Sequence, residues 1–151
     1  MDRRMKNPAT LLPGVLDALY ELGVASRDSG VSPVTLGLVQ LRASQINGCV
    51  VTMDSHTRML QEAGETPERL AALRSWATTD LFTDAERSAL ALSEAVTRLA
   101  DQADPVPDSV WNEVARHHDD TRLASLLLAI ATINLWNRLN VATRQVVGVW
   151  D

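Results

Sequence analysis

Apolar residues recur along this chain at intervals of three and four, the spacing that lines one face of an α-helix. Leu12, Val15, Leu16, Leu19 and Leu22 give a first helix from about Thr10 to Ala25. Pro13 falls in its first turn, where a missing N–H costs little. The turn DSGVS at 28–32 closes this helix, and Ser32 followed by Pro33 starts a second that runs to about Gln45. Asn47-Gly48 interrupts it, and a third helix carries Cys49 to about Ala63, ending at Gly64. Thr66-Pro67-Glu68 opens a short fourth helix through about Trp76. Thr83 and Glu86 have the spacing of a capping box, opening a fifth helix through about Ala100. A loop holding Pro105 and Pro107 leads to a sixth near 108–117, and Asp119 or Asp120 caps the last helix. From Leu123 to Ile133 that helix is apolar on nearly all sides, as in a core or a subunit interface. With no strand-like alternation, repeat or linker, the expectation is an all-α fold: one domain over 10–145 between tails at 1–9 and 146–151.

Composition agrees. A chain of 151 residues suits one domain with its own core, and 46% hydrophobic with 22% charged residues indicates neither disorder nor a membrane protein. One Tyr and one Phe leave little for a β-sheet. A net charge of -5 and a pI near 5.1 argue against nucleic acid or an anionic membrane as partner. The single cysteine forbids an intrachain disulfide and fits a reducing cytoplasm. The basic start MDRRMK precedes an apolar stretch, but Asp17 and Glu21 interrupt it and no small-residue cleavage site follows, so no signal sequence is expected.

Candidate chemistry concentrates in SQINGCVVTMDSH, residues 44–56. At about 100° per residue, Cys49 and Thr52 lie roughly 60° apart and Thr52 and His56 roughly 40° apart, so all three face one side of the third helix. Asn47 can cap that helix, leaving Cys49 in its first turn, where unpaired N–H groups favour a thiolate. A lone buried cysteine is otherwise simply a small apolar residue.

The stretch LRASQINGC (41–49) followed by DSH (54–56) resembles the signature of the carboxymuconolactone decarboxylase superfamily, more narrowly its alkylhydroperoxidase D-like branch. LFTDAERSALALSEAVT (81–97), VPD (106–108) and LLAIATINLWNRL (127–139) match in the same order. The resemblance implies a compact all-helical protomer that assembles into trimers or hexamers. Redox-active members carry a C-x-x-C pair followed by His, with a Glu in the preceding helix. The two sulfurs and the His–Glu relay reduce organic hydroperoxides, and an external dithiol restores the pair. By position the first cysteine is Cys49 and the histidine is His56, whereas the second cysteine falls on Thr52 and the glutamate on Gly37. A threonine hydroxyl cannot replace a sulfur and glycine offers no carboxylate; Gln40, one turn on, can hydrogen-bond but is no base. The two-cysteine cycle is excluded.

Three readings remain. One is a redox-retired homo-oligomer that binds a small ligand, with Thr52 filling the cysteine's volume. Another is a weak one-cysteine peroxidase in which Cys49 forms a sulfenic acid that a small thiol reduces. The third is cofactor-free acid–base chemistry on a small organic acid, of decarboxylase or isomerase type, with His56 as acid or base and Thr52 as hydrogen-bond donor. Arg58 points elsewhere on the helix, so carboxylate recognition would fall to Arg42 or Arg138. Each reading uses Cys49, Thr52 or His56, and none calls for a cofactor or a metal. Glu86 is explained by its capping box. Asn134, Asn137 and Arg138 form a polar cluster expected to be satisfied by Glu86 or Glu94. His117-His118-Asp119-Asp120 superficially suggests a metal site, but adjacent helical residues point apart. The four tryptophans read as core or interface residues.

Overall fold

The computed structural model describes residues 2–149; Met1, Trp150 and Asp151, with Trp150 among the four tryptophans, lie outside them. The first expected helix is two. α1 (Pro8–Leu11) stops where the chain turns at Pro13 and Gly14, and α2 (Val15–Ala25) begins from Gly14 at a left-handed φ of 78°. α3 (Pro33–Asn47) starts with the Ser32 side chain accepting the Val34 amide and runs two residues further than expected. α4 (Val50–Glu62) and α5 (Pro67–Ala72) follow, the latter capped by Thr66 and continued by a 3-10 turn, Leu73–Thr78. α6 (Asp84–Thr97) opens with the expected reciprocal capping box of Thr83 and Glu86. α7 (Asp108–His117) and α8 (Asp120–Thr143) complete the fold, with Asp119 as the cap of α8. No strand occurs among the described residues, and none of their helices is long and apolar enough to cross a membrane.

α3 is the central rod, packed against α4, α6 and α8. Its Leu36, Leu38, Val39 and Leu41 point to several sides and are all buried, which is why its apolar pattern has no single face. Leu60, Leu73, Leu90, Leu92, Val114, Leu126 and Ile130 close the core around it. Burying each such leucine or isoleucine contributes about 1.5–3 kcal/mol. At about 1.5 Å per residue, α8 spans roughly 36 Å, and beyond Ala129 it buries polar residues, among them Asn134, Asn137 and Asn140. In contrast, α2 has no buried residue, and Tyr20, Leu22 and Val24 on it are exposed. It meets α8 through the Tyr20 and Trp136 rings, 6.3 Å apart.

Candidate functional site

The site is built on the corner between α3 and α4. Gly48 closes α3 at φ 65°, a conformation glycine adopts without strain. Cys49 follows with extended backbone (φ -84°, ψ 94°) and is the cap residue of α4, outside its first turn. Its amide donates to the Ser44 carbonyl at 3.0 Å and its carbonyl accepts from the Met53 amide at 3.0 Å. Asn47 does not cap the helix: its Nδ2 donates to Asn134 Oδ1 at 2.9 Å, tying α3 to α8.

Thr52 is buried, and its Oγ1 donates to Asn137 Oδ1 at 2.7 Å while lying 3.2 Å from the Cys49 carbonyl. Ser44 Oγ lies 3.2 Å from the same Asn137 oxygen and 2.8 Å from the Gln40 carbonyl. Asn137 Nδ2 is buried with no partner. Turning the amide over would let its nitrogen donate to both hydroxyls, each then donating to a helix carbonyl, and would leave the oxygen unpaired instead. In both orientations the Thr52 proton is used inside the protein. Thr52 is thus an anchor between α4 and α8, where acid–base chemistry called for a donor to substrate.

His56 sits one turn further along α4, half-buried. Its Nδ1 lies 3.0 Å from the Thr52 carbonyl, which can only accept, so Nδ1 carries a proton. Nε2 lies 3.3 Å from Gln40 Oε1. The Gln40 amide can present NH2 to the neutral ring's lone pair or its oxygen to the charged ring, so it serves both protonation states. Burial lowers the His56 pKa below the usual imidazole value; the Thr52 carbonyl opposes this, and the Arg27 charge lowers it further. At neutral pH His56 is therefore an uncharged imidazole with its lone pair on Nε2.

His56 and Thr52 line a cavity of about 270 Å³ between α2, α4 and α8, just below the ~300 Å³ at which ligand pockets usually begin. Cys49 does not line it. The thiol residue is 2% exposed and borders a separate cavity of about 180 Å³, beside Gly48, Val50 and Arg144. Val51 and Asn140 line both cavities and form the partition. The single helical face expected for Cys49, Thr52 and His56 holds only for the last two. Cys49 is not in helical conformation, so the regular rotation per residue does not extend to it.

Gly37, where the resemblance would put a carboxylate, is buried in α3. A Cβ added there would lie 2.8 Å from Leu60 Cδ2 and 3.2 Å from its Cγ. Leu60 occupies the direction a side chain at 37 would take.

The other candidates are committed elsewhere. Arg42 donates to Glu94 at 2.7 Å and to Gln45, Arg138 donates to the Asn134 carbonyl at 3.1 Å, and Arg58 pairs with Asp54; none lines the His56 cavity. The glutamates do not satisfy the polar cluster of α8. Glu86 pairs with Arg69, and Glu94 with Arg42, Trp76 and Arg98, while Asn134 uses Asn47 and Thr97 and Asn137 uses Ser44 and Thr52. Asparagines on α8 and polar side chains on α3 and α4 complement one another because those helices pack directly. His117 reaches Glu113 on its own helix, His118 is buried, and no metal-holding group of His, Cys, Asp and Glu occurs among the described residues. Trp76 and Trp136 are half-buried and Trp111 is exposed. The cationic residue that does line the cavity is Arg27. It lies in the turn after α2, and no sequence motif connects it to His56.

The all-helical fold, with Cys49 and His56 following the Gly48 corner, fits the alkylhydroperoxidase D-like class that the sequence motifs resemble. The chain belongs to the carboxymuconolactone decarboxylase family, whose model matches residues 13–95. It is 32% identical over 132 residues to the uncharacterized protein YdfG of Bacillus subtilis (strain 168), covering 87% of this chain and 88% of that one. Among solved structures, a protein of unknown function from Agrobacterium tumefaciens, put forward as an antioxidant defence protein AhpD, superposes with a TM-score of 0.89 at 29% identity. That match covers 98% of this chain and 99% of the other. The debrominase Bmp8 shares the fold at a TM-score of 0.79 and 18% identity, over 91% of this chain and 73% of that one.

Proposed function

We propose that this protein is a small-ligand-binding family member whose site is the His56 cavity, with His56 as its proton-transfer group and no thiol–disulfide cycle. The observation that carries this reading is the state of His56. Its Nδ1 proton is fixed on a backbone carbonyl, and its Nε2 lone pair stands beside an adaptable amide in a largely apolar cavity. Such a group takes a proton from an acidic C–H or O–H of a bound molecule. The imidazolium so formed keeps the Thr52 carbonyl at Nδ1 and gains the Gln40 oxygen at Nε2, and it returns the proton to another atom of the ligand. Ser55, exposed on α4, and Tyr20 on α2 line the cavity with hydroxyls still able to donate to a ligand, since those of Thr52, Ser26 and Thr132 are engaged. A fragment screen by ¹H–¹⁵N NMR tests the site: binders should shift the resonances of the His56 and Trp136 rings. Binders that leave both unmoved would remove the proposal.

A one-cysteine peroxidase is the second reading. It is favoured by the position of Cys49 at the open N-terminus of α4 and by the antioxidant role put forward for the Agrobacterium relative. The thiolate would attack a hydroperoxide oxygen, giving a sulfenic acid and an alcohol; two equivalents of a small thiol would then return the thiol, releasing water and a small-molecule disulfide. Near-complete burial of Cys49 and its separation from His56 weigh against this reading. Thiol-dependent turnover of cumene hydroperoxide that Cys49→Ala abolishes would establish it. We also propose that copies assemble, as in the trimers or hexamers the resemblance implies, over the exposed Leu12, Tyr20, Leu22 and Val24. Light scattering should give a multiple of 16.5 kDa, and a monomer mass would rule this out.

A further inference from the structure

We infer that Arg27 makes the His56 cavity selective for small carboxylates with an apolar body. This inference rests on the His56 cavity being the binding site. Among the described residues the lining holds no Asp or Glu, although the chain has 19 of them, and Arg27 is its one permanently charged side chain.

The Arg27 guanidinium has no hydrogen-bond or ion-pair partner among the described residues. Arg27 is itself exposed in the turn after α2, so water reaches its open edges, whereas the half-buried Arg42 and Arg69 are neutralised by Glu94 and by Glu65 and Glu86. Gly37 adds no carboxylate beside Arg27. It lines, with Arg27 and Gln40, a smaller cavity of about 80 Å³. Arg27 and Gln40 both line the larger cavity too, so the guanidinium stands where the two spaces meet.

A guanidinium with two open N–H edges matches a carboxylate in bidentate geometry, and the Gln40 amide can add a donor beside it. The remainder of the ligand meets Leu19, Val24, Ile133 and Trp136, an apolar and aromatic wall. A carboxylate fixed at Arg27 leaves the atoms beyond it facing His56. Arg27 is thus a specificity residue, carried on the turn that follows the exposed helix α2.

The test is calorimetric titration of the full chain with phenylacetate and with phenylacetamide, its neutral counterpart of the same shape. Phenylacetate should bind about tenfold or more tightly than the amide, with the preference weakening as salt rises. Arg27→Gln should bring the ratio to about one by weakening phenylacetate far more than the amide, Arg27→Lys should keep part of the preference, and Arg58→Gln, outside the cavity, should keep all of it. Equal binding of acid and amide by the parent protein, or an unchanged ratio in Arg27→Gln, overturns the inference. The proposal for the His56 cavity would then survive if either ligand still shifts the His56 ring. Absence of binding by both probes overturns the inference as well, and the fragment screen then judges the cavity independently.

Discussion

Substitution of Gly37 tests whether the missing relay carboxylate could simply be restored. In Gly37→Ala the new Cβ would stand 2.8 Å from Leu60 Cδ2 and 3.2 Å from Cγ, and Leu60 is 1% exposed within the core. Overpacking of this kind costs about 1–3 kcal/mol. Replacing a mid-helix glycine by alanine returns roughly 0.5–1 kcal/mol. The expected net loss is about 0–2.5 kcal/mol. Leu60→Ala alone should cost about 2–5 kcal/mol by leaving a cavity. On that background the clash is gone, and Gly37→Ala should stabilise by up to ~1 kcal/mol. The sign of one substitution therefore reverses with its neighbour, a coupling that urea denaturation of the four proteins measures directly. Equal destabilisation in both backgrounds would refute the argument, as would a stabilised Gly37→Ala single variant. A glutamate at 37 meets the same obstacle, so restoring peroxidase chemistry with Thr52→Cys and Gly37→Glu should require a smaller residue at 60.

Three further outcomes follow from the same geometry. Thr52→Val leaves Asn137 without its 2.7 Å partner and should cost about 1–3 kcal/mol in urea denaturation, whereas Thr52→Ser, which keeps the hydroxyl, should cost less; equal losses would contradict the anchoring role. Burial lowers the pKa of both His56 and His118, so the unfolded chain binds more protons as pH falls below about 6.5. Stability should be fully present above that pH, decline as pH falls through it and level off below the folded-state values. Thermal melts of His56→Gln and His118→Gln should each show a shallower decline, and an unchanged slope in both would show the sign to be wrong. Cys49, at 2% exposure, should react with a bulky disulfide reagent far more slowly in the native protein than in urea; equal rates would mean that the thiol is accessible.

The helices were legible because each carries its own signals. Ser32, Thr66, Thr83 and Asp119 all cap the helices expected of them. The break between α1 and α2 was not, because Pro13 is equally compatible with a first turn and with a stop. The Gly48 corner was visible as Asn-Gly, but spacing alone cannot show that Asn47 bonds to α8 and leaves Cys49 as the cap. Of the site face, Thr52 and His56 emerged from helical rotation because both lie inside α4. Cys49 did not follow them, since one residue of extended backbone redirects a side chain without altering the count of positions. Arg27 was invisible for a different reason: only the packing of α2 on α8 brings it to a cavity shared with His56, 29 positions away.

The central claim, that function resides in the His56 cavity and not at the thiol, is tested most directly by two variants against one fragment library. Saturation-transfer NMR should give the same bound fragments for Cys49→Ala as for the parent protein, and His56→Gln should lose or weaken those that contact the cavity. The reverse pattern, with binding intact in His56→Gln and lost in Cys49→Ala, would contradict the account.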